Sequence, residues 1–596
     1  MSVEPAAGTA PNAAPNAAQT ALHDSLRVGL AEAGAQLDAL TDSLADAVAD
    51  PRRPASLDTD RLHRYGEAAM LLARAVAELH AAQTLLGAYA GRGAALQRLS
   101  AYAVARALLG LDASLRAEVA WPTPTDAAAS PAASGLALSS GSAAAVHAAS
   151  GPAALDALWP LLAEGGTSAA AAYALSSDHD DIRALFRDFA DAQVAPLAEQ
   201  IHRDDALLPE SLLSAYAEVG ALGITIPERW GGQFIDHRSM AIATEELSRC
   251  SLGAGGSVIT RPEIASKALL AGGTEAQKRH WLPRIARGDE IVAIAVTEPG
   301  AGSDVAAVRT VADRAPDGGW LLTGEKTWCT FAGRASVLLV LARTGSAADG
   351  AKGLTLFLVP KPKVVAPADD RSFACDDGRG GSLSGRAIPT VGYRGMHSFA
   401  CFFERFWVSD EHRVGEIGAG FALQMKGFAG GRIQTAARAV GVMEAALRAA
   451  LRYSRERMVF GRSLDSLPIC RRKLCDMAAR VALARHMTYA VCDAMDSADA
   501  RTRNRGEHDA SLVKLLACRD AESVTREAMQ LHGGMGYSEE FAVSRYWQDA
   551  RVLSIFEGAE EVLAVLVIAR ALLRDRLAAR SASSESAPGA AAGPTP

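Results

Sequence analysis

The chain has 596 residues, which at about 150 per domain gives a prior of four compact units. Apolar residues make up 49%, charged residues 22% and the net charge is −7. That is ordinary globular usage, and the acidity argues against a nucleic-acid binder, which normally shows a basic face. The apolar run LAVLVIARALL at 563–573 is broken by Arg570 and falls short of the ~18–20 residues of a bilayer span. No basic stretch followed by an apolar core opens the chain, so a secretory signal is not expected. None of the eight cysteines forms a CxxC pair, and Cys470 and Cys475 have no histidine at zinc-finger spacing. They read as small buried thiols of a reducing compartment, the cytoplasm by default.

In chain order, residues 1–20 are Ala/Pro-rich and are expected to be disordered. Leu22, Leu26, Leu30, Ala33, Leu37, Leu40, Leu44 and Val48 recur every three or four residues, which predicts an amphipathic helix. After the Pro51–Pro54 break, helical runs follow over about 60–86 and 93–109, so 21–120 reads as a helical extension. An Ala/Ser/Gly-rich stretch over 121–155 reads as a linker. The first 175 residues hold ten arginines, no lysine and sixteen acids, too acidic for a mitochondrial transit peptide.

From 156 to 290 helical periodicity predicts an α domain, with clear patterns at 182–201, 212–222 and 239–247. Over 291–415 the pattern turns to short strands: IVAIAV, GWLLTGEK, SVLLVLAR, GLTLFLVP and SFACFFERFWV. Long helical patterns return over 416–575, and 576–596 reads as a disordered tail. Helices, then strands, then helices give a segregated α+β fold.

Four stretches carry chemistry. The first strand runs into Thr297-Glu298-Pro299-Gly300-Ala301-Gly302-Ser303-Asp304, whose small residues let main-chain N–H groups approach an anionic or heterocyclic ligand. It matches neither GxGxxG nor a Walker loop. Trp328 and Thr330 are two apart after Gly324, on one face of a strand. Clustered cations end a helix before Arg457-Met458-Val459-Phe460-Gly461. Gln530-Leu531-His532-Gly533-Gly534 precedes Ile555-Phe556-Glu557-Gly558 and an apolar final helix.

In this order and spacing, over about 178–575, the four stretches resemble the acyl-CoA dehydrogenase family. The resemblance implies an α-helical domain, a β domain and a C-terminal four-helix domain, with FAD bound and a homodimer or homotetramer. It implies that Thr297, Gly302 and Ser303 hold the flavin ring and pyrophosphate, that Trp328 lies beside the isoalloxazine and that Thr330 approaches flavin N5. Arg457, Phe460, Gln530 and Gly534 match positions that reach the FAD of a neighbouring subunit. Ala559 and Val459 depart from the family's frequent polar residues there, which removes two cofactor contacts.

Glu557 matches the family's catalytic base; by itself it would read as a helix-start carboxylate favourable to the helix dipole. The alternative base position in the family falls on Gly431, before Arg432, and glycine has no carboxylate. The implied reaction is α,β-dehydrogenation of an acyl thioester: Glu557 removes the α-proton, the β-hydrogen leaves as hydride to flavin N5, and an electron-transfer flavoprotein re-oxidises the cofactor. Burial raising the carboxylate's pKa and hydrogen bonds to the thioester oxygen make the proton transfer feasible.

The N-terminal extension, Thr260-Arg261-Pro262-Glu263-Ile264, Gly392-Tyr393-Arg394-Gly395-Met396 and Gly431–Arg438 resemble the branch that oxidises methylsuccinyl-CoA to mesaconyl-CoA in the ethylmalonyl-CoA route. Its substrate carries a free carboxylate that needs a cation. Arg261 is the candidate, against a surface arginine at a helix start, and Arg432 lines the channel. Three alternatives share the fold: a dehydrogenase of secondary metabolism on a CoA- or carrier-bound acyl group, an acyl-CoA oxidase, and a non-catalytic DNA-binding relative, for which no basic C-terminal surface is found. The extension is expected to dock near the substrate entrance and shape the pocket, against the reading that it is a stability or assembly module.

Overall fold

The computed structural model describes residues 16–90, 92–116, 121, 135–165, 175–361 and 371–585. The extension is helical: α1 (Ala17–Val48), a small β1–β2 hairpin (Ala49–Asp50, Arg53–Leu57), α2 (Thr59–Arg64), α3 (Gly66–Ala88), α4 (Ala94–Leu115), α5 (Ser140–Ser150) and α6 (Pro152–Gly165). Three expectations need correction. Residues 1–15 lie outside the described residues, but Asn16 and Gln19 form a reciprocal capping box, so 17–20 already belong to α1. Within the linker expected over 121–155, residues 122–134 are likewise outside, yet 140–150 are helical and 152–155 open a helix that runs on to 165, into the expected α domain. The small residues are the reason: a Cβ on Gly29 would lie 3.3 Å from the Ser142 Cβ, so α5 packs closely on α1. Residues 586–596 lie outside too, whereas 576–585 continue the last helix, where Arg580 pairs with Asp42 of α1 at 2.8 Å.

The next unit comprises α7 (Ser177–Phe189), α8 (Ala195–Asp204), α9 (Glu210–Glu218), α10 (His237–Cys250), α11 (Thr260–Gly272) and α12 (Glu275–Ala286). A π-helical turn at Ala190–Val194 splits the helix expected over 182–201, just before Pro196 removes a main-chain donor.

A nine-stranded sheet follows: β3 (Val292–Ala295), β4 (Val311–Arg314), β5 (Trp320–Thr330), β6 (Val337–Arg343), β7 (Leu354–Pro360), β8 (Ser372–Asp376), β9 (Ser382–Ile388), β10 (Ser398–Val408) and β11 (Arg413–Val414). The order is β11-β7-β6-β4-β5-β10-β9-β8, with β3 parallel to β6 through Val292 opposite Val337. β6 is buried on both faces, which explains its unbroken apolar run.

The C-terminal domain is built from α13 (Gly420–Glu456), a β12–β13 hairpin (Met458–Val459, Arg462–Ser463), α14 (Pro468–Met495), α15 (Ala500–His532), α16 (Ala542–Leu553), α17 (Glu560–Val562) and α18 (Arg570–Glu585), the last two joined by a π-helical turn. Its core is continuous with that of the extension: Leu26, Leu72 and Leu108 belong to the same buried cluster as Leu474 and Leu563. Buried polar contacts reinforce the junction, with the Tyr102 hydroxyl donating to Asp476 at 2.6 Å and Tyr89 Oη 2.9 Å from His486 Nε2. All eight cysteines are free, and no described helix is long and apolar enough to cross a membrane.

Candidate active site

Strand β3 delivers the Thr297–Ser303 loop to the edge of β5, where the Thr327 N–H donates to the Thr297 carbonyl at 2.9 Å. Glu298 anchors the loop from beneath. Its carboxylate accepts from the Arg309 and Thr310 N–H groups at 2.7 and 2.8 Å and from Lys326 Nζ at 2.8 Å. Burial pushes this carboxyl up, but the Lys326 ammonium and the hydrogen bonds outweigh it and hold it below its ordinary value. Gly302 and Ser303 are exposed at the tip, and a Cβ on Gly300 would meet nothing within 4 Å. Across the Thr297–Thr327 bond, Trp328 holds φ +59° and stays 55% exposed. The Thr330 Oγ1 shares a hydrogen bond with Ser398 Oγ at 3.1 Å.

An indole left open in a left-handed backbone, beside a loop of small residues with main-chain donors at its tip, fits a flat heterocycle with an anionic tail. These residues suit a flavin dinucleotide.

Arg457, Phe460, Gln530 and Gly534 lie elsewhere. Phe460 sits at the tip of the β12–β13 hairpin with φ +50° and 94% exposure. Arg457 and Gln530 are exposed, and a Cβ on Gly534 would meet nothing within 4 Å. No hydrogen bond between described residues joins these four to the Thr297 loop.

Glu557 stands in the turn between α16 and α17 with φ +55°, followed by Gly558 at +102°. For a residue with a Cβ that backbone costs on the order of 1 kcal/mol and persists only when the surroundings hold it. One restraint is Lys514 of α15, whose Nζ donates to the Gly558 carbonyl at 2.7 Å. Glu557 Oε2 is buried with no hydrogen-bond partner among the described residues. A Cβ on Gly431 would lie 3.0 Å from it, so glycine there leaves room for the carboxylate.

The surroundings of Glu557 are cationic. Burial raises its carboxyl above the ordinary value, and the opposing pull of Arg438, Arg261, Lys514 and Arg432 does not cancel the shift. Arg438 is 1% exposed, lies over the Phe556 ring at 4.6 Å and donates to Thr435 Oγ1 at 2.6 Å and Ser257 Oγ at 3.1 Å. Arg261 is buried, not at the surface, and donates to Tyr393 Oη at 2.8 Å and to the Ser257 carbonyl. Burial would raise the Tyr393 phenol, but Arg261 and Arg438 bring it below its ordinary value. Arg432 donates to Ser511 Oγ at 3.1 Å, and the Nε atoms of Arg432 and Arg438 are buried without partners among the described residues. The structure thus gathers Glu557, Arg261 and Arg432 around one centre. Sequence reading missed Arg438 and Lys514 as members. Arg438 stands six residues after Arg432, about 120° round the helix and so off its face, and no spacing rule pairs the two; nothing local marks Lys514.

Residues 176–289, 293–405 and 418–573 match the acyl-CoA dehydrogenase N-terminal, middle and C-terminal domains respectively. The chain is 40% identical over 409 residues to (2S)-methylsuccinyl-CoA dehydrogenase of Cereibacter sphaeroides, covering 68% of this chain and 72% of that protein. Among solved structures it is similar to butyryl-CoA dehydrogenase from Megasphaera elsdenii (29% identity, TM-score 0.60, 67% of this chain and 99% of that one). It is also similar to a glutaryl-CoA dehydrogenase from Mycobacterium smegmatis in complex with FADH2 (25% identity, TM-score 0.59, 67% and 95%). The chain belongs to the acyl-CoA dehydrogenase family, FAD-dependent oxidoreductases that act on the CH–CH bond of acyl-CoA thioesters.

Proposed function

We propose that the chain dehydrogenates a short, branched acyl-CoA bearing a free carboxylate, of the methylsuccinyl type, at the α,β bond. The observation that carries this reading is the charge imbalance at Glu557: four cations, Arg261, Arg432, Arg438 and Lys514, act on one buried carboxylate. Buried cations are retained where an anion pairs with them. A substrate carboxylate supplies that anion, whereas a neutral acyl chain leaves the imbalance standing. The relative from C. sphaeroides, named for a methylsuccinyl substrate, supports the same class.

Glu557 is the base. Its raised pKa brings the carboxylate closer to the weakly acidic α-proton, and its unpartnered Oε2 is free to receive it. Arg261, held by Tyr393, and Arg438 with its open Nε take the distal carboxylate and fix which carbon faces Glu557. Thr297, Gly302, Ser303, Trp328 and Thr330 would hold FAD, which would supply the hydride acceptor for the β-hydrogen as the substrate's C=C forms. The exposed Phe460 with Arg457, Gln530 and Gly534 completes the cofactor site of a second copy in a homodimer or homotetramer. An electron-transfer flavoprotein takes the electrons onward, in the cytoplasm.

Replacing Arg261 tests the substrate class. In Arg261→Ala, kcat/KM for methylsuccinyl-CoA is expected to fall by about 2–4 kcal/mol, roughly 30- to 800-fold, because a charge-assisted bond is lost. Butyryl-CoA should lose little. An equal fall for both thioesters would make Arg261 a purely structural residue.

A further inference from the structure

The extension docks against the C-terminal domain next to the catalytic turn. Helix α3 lies along α14, α15 and the π-helical turn after α17. Its Arg74 Nη2 meets Glu560 Oε1 at 2.6 Å, with both side chains largely buried. Glu560 is three residues beyond Glu557 and also faces Arg519 Nε of α15 at 3.3 Å. The Glu560 N–H donates to the Ser554 carbonyl at 3.0 Å and so closes the loop that carries Phe556, Glu557 and Gly558. That loop contains the left-handed Glu557, a conformation a free loop would leave. Cations hold it from two sides: Lys514 at the Gly558 carbonyl, from within the domain, and Arg74 at Glu560, from the extension.

We propose that Arg74 is a positioning residue for the dehydrogenation, through which the N-terminal extension holds the Glu557 turn in its reactive conformation. Arg74 does not touch substrate or cofactor. It acts through Glu560, and without it Arg519 is the one ion-pair partner left to that carboxylate among the described residues. The proposal rests on Glu557 being the base, and it makes the extension part of the catalytic apparatus, not only an assembly module. Other extension contacts serve docking alone: Arg106 of α4 pairs with Asp476 of α14 at 2.9 Å on the same interface, away from the turn.

The test uses the full-length, FAD-loaded enzyme. Single-turnover flavin bleaching by methylsuccinyl-CoA is followed against pH, with hydrogen exchange of the 554–560 segment measured alongside. Arg74→Ala is expected to slow bleaching about 10-fold, with little change in thioester affinity. It should displace the pH profile, because Glu557 would sit differently among Arg261, Arg432, Arg438 and Lys514, and speed exchange in 554–560. Arg74→Lys should restore most of the rate, and Glu560→Gln, which keeps the side chain's volume, should reproduce the defect should Arg74→Ala fold poorly. Arg106→Ala should leave rate, profile and exchange unchanged. Equal defects in the Arg74 and Arg106 variants, or an unmoved pH profile in Arg74→Ala and Glu560→Gln, would overturn the proposal. Full bleaching in Glu557→Gln would instead overturn the assignment of the base, so the two failures are distinguishable.

Discussion

Two clusters of buried charge hang on helix α13, and they are built on opposite terms. At its C-terminal half, Glu444 meets Arg485 of α14, which is 1% exposed. Arg485 also grips Glu245 of α10 at 2.7 and 3.0 Å, and Tyr489 donates to the other Glu245 oxygen at 2.6 Å. Next to it Glu246 accepts from Arg187 at 2.7 and 3.1 Å and from Arg249 at 3.1 Å. Each charge there has an opposite within bonding distance. At the N-terminal half, Arg432 and Arg438 join Arg261 and Lys514 around the single carboxylate of Glu557, and donors and acceptors are left open. A balanced cluster ties helices together. An unbalanced one is completed by something that arrives, and that contrast marks the active site more sharply than burial does.

Breaking the comparison at its functional end gives the largest effect. Glu557→Gln keeps the shape of the side chain and removes the base, so flavin bleaching should slow by about 100- to 10,000-fold while the protein stays yellow and binds thioester. Bleaching at the parent rate would place the base elsewhere. At the structural end, Arg485→Met leaves Glu245 and Glu444 buried without their shared cation. Breaking such a pair costs about 3–5 kcal/mol, read as a lower midpoint in urea. The molecules that remain folded should bleach at close to the parent rate. A variant as stable as the parent would show that the cluster does not tie α10, α13 and α14 together.

How far the sequence foretold this contrast depends on range. The apolar strands β3, β5, β6, β7 and β10 were legible, because β-branched and aromatic runs bounded by Gly and Pro state their own conformation. β8 and β9 were not: in SFACD and SLSGRAI the pattern is diluted by Ser, Gly and charge, and register is supplied by pairing with β10 through partners such as Ala400 and Arg386. Likewise α5 lies in an Ala/Ser/Gly stretch whose helicity depends on the close face of α1. In the site, Glu557, Arg261 and Arg432 were reached through the family resemblance. Lys514 and Arg74 were not, since each acts on the catalytic turn from a helix far away in sequence, and no local pattern records a tertiary hydrogen bond.

Between the two clusters lies an intermediate case, which sharpens the comparison with the smallest effect. Where α3 and α4 meet α14 and α15, a cavity of about 270 Å³ is lined by Glu78, Arg106, Asp476, Arg480 and Asp520. Burial, aided by the negative charge of Asp520, pushes the Glu78 carboxyl up to about 7, although Arg480, Arg519 and Arg74 pull the other way. In the unfolded chain this group titrates near 4.5. Between those two values the folded state therefore holds a proton that the unfolded state has released, so stability falls as pH rises through that window and levels off above about 7. Glu78→Gln removes the titration while keeping the side chain's size. It should match the parent's stability below pH 4.5, and exceed it by about 1–3 kcal/mol at pH 8. Urea melts of parent and variant at the two extremes measure this directly. A gain that does not grow with pH would mean that Glu78 is charged in the fold and paired by its arginines, which would place the extension interface with the balanced cluster.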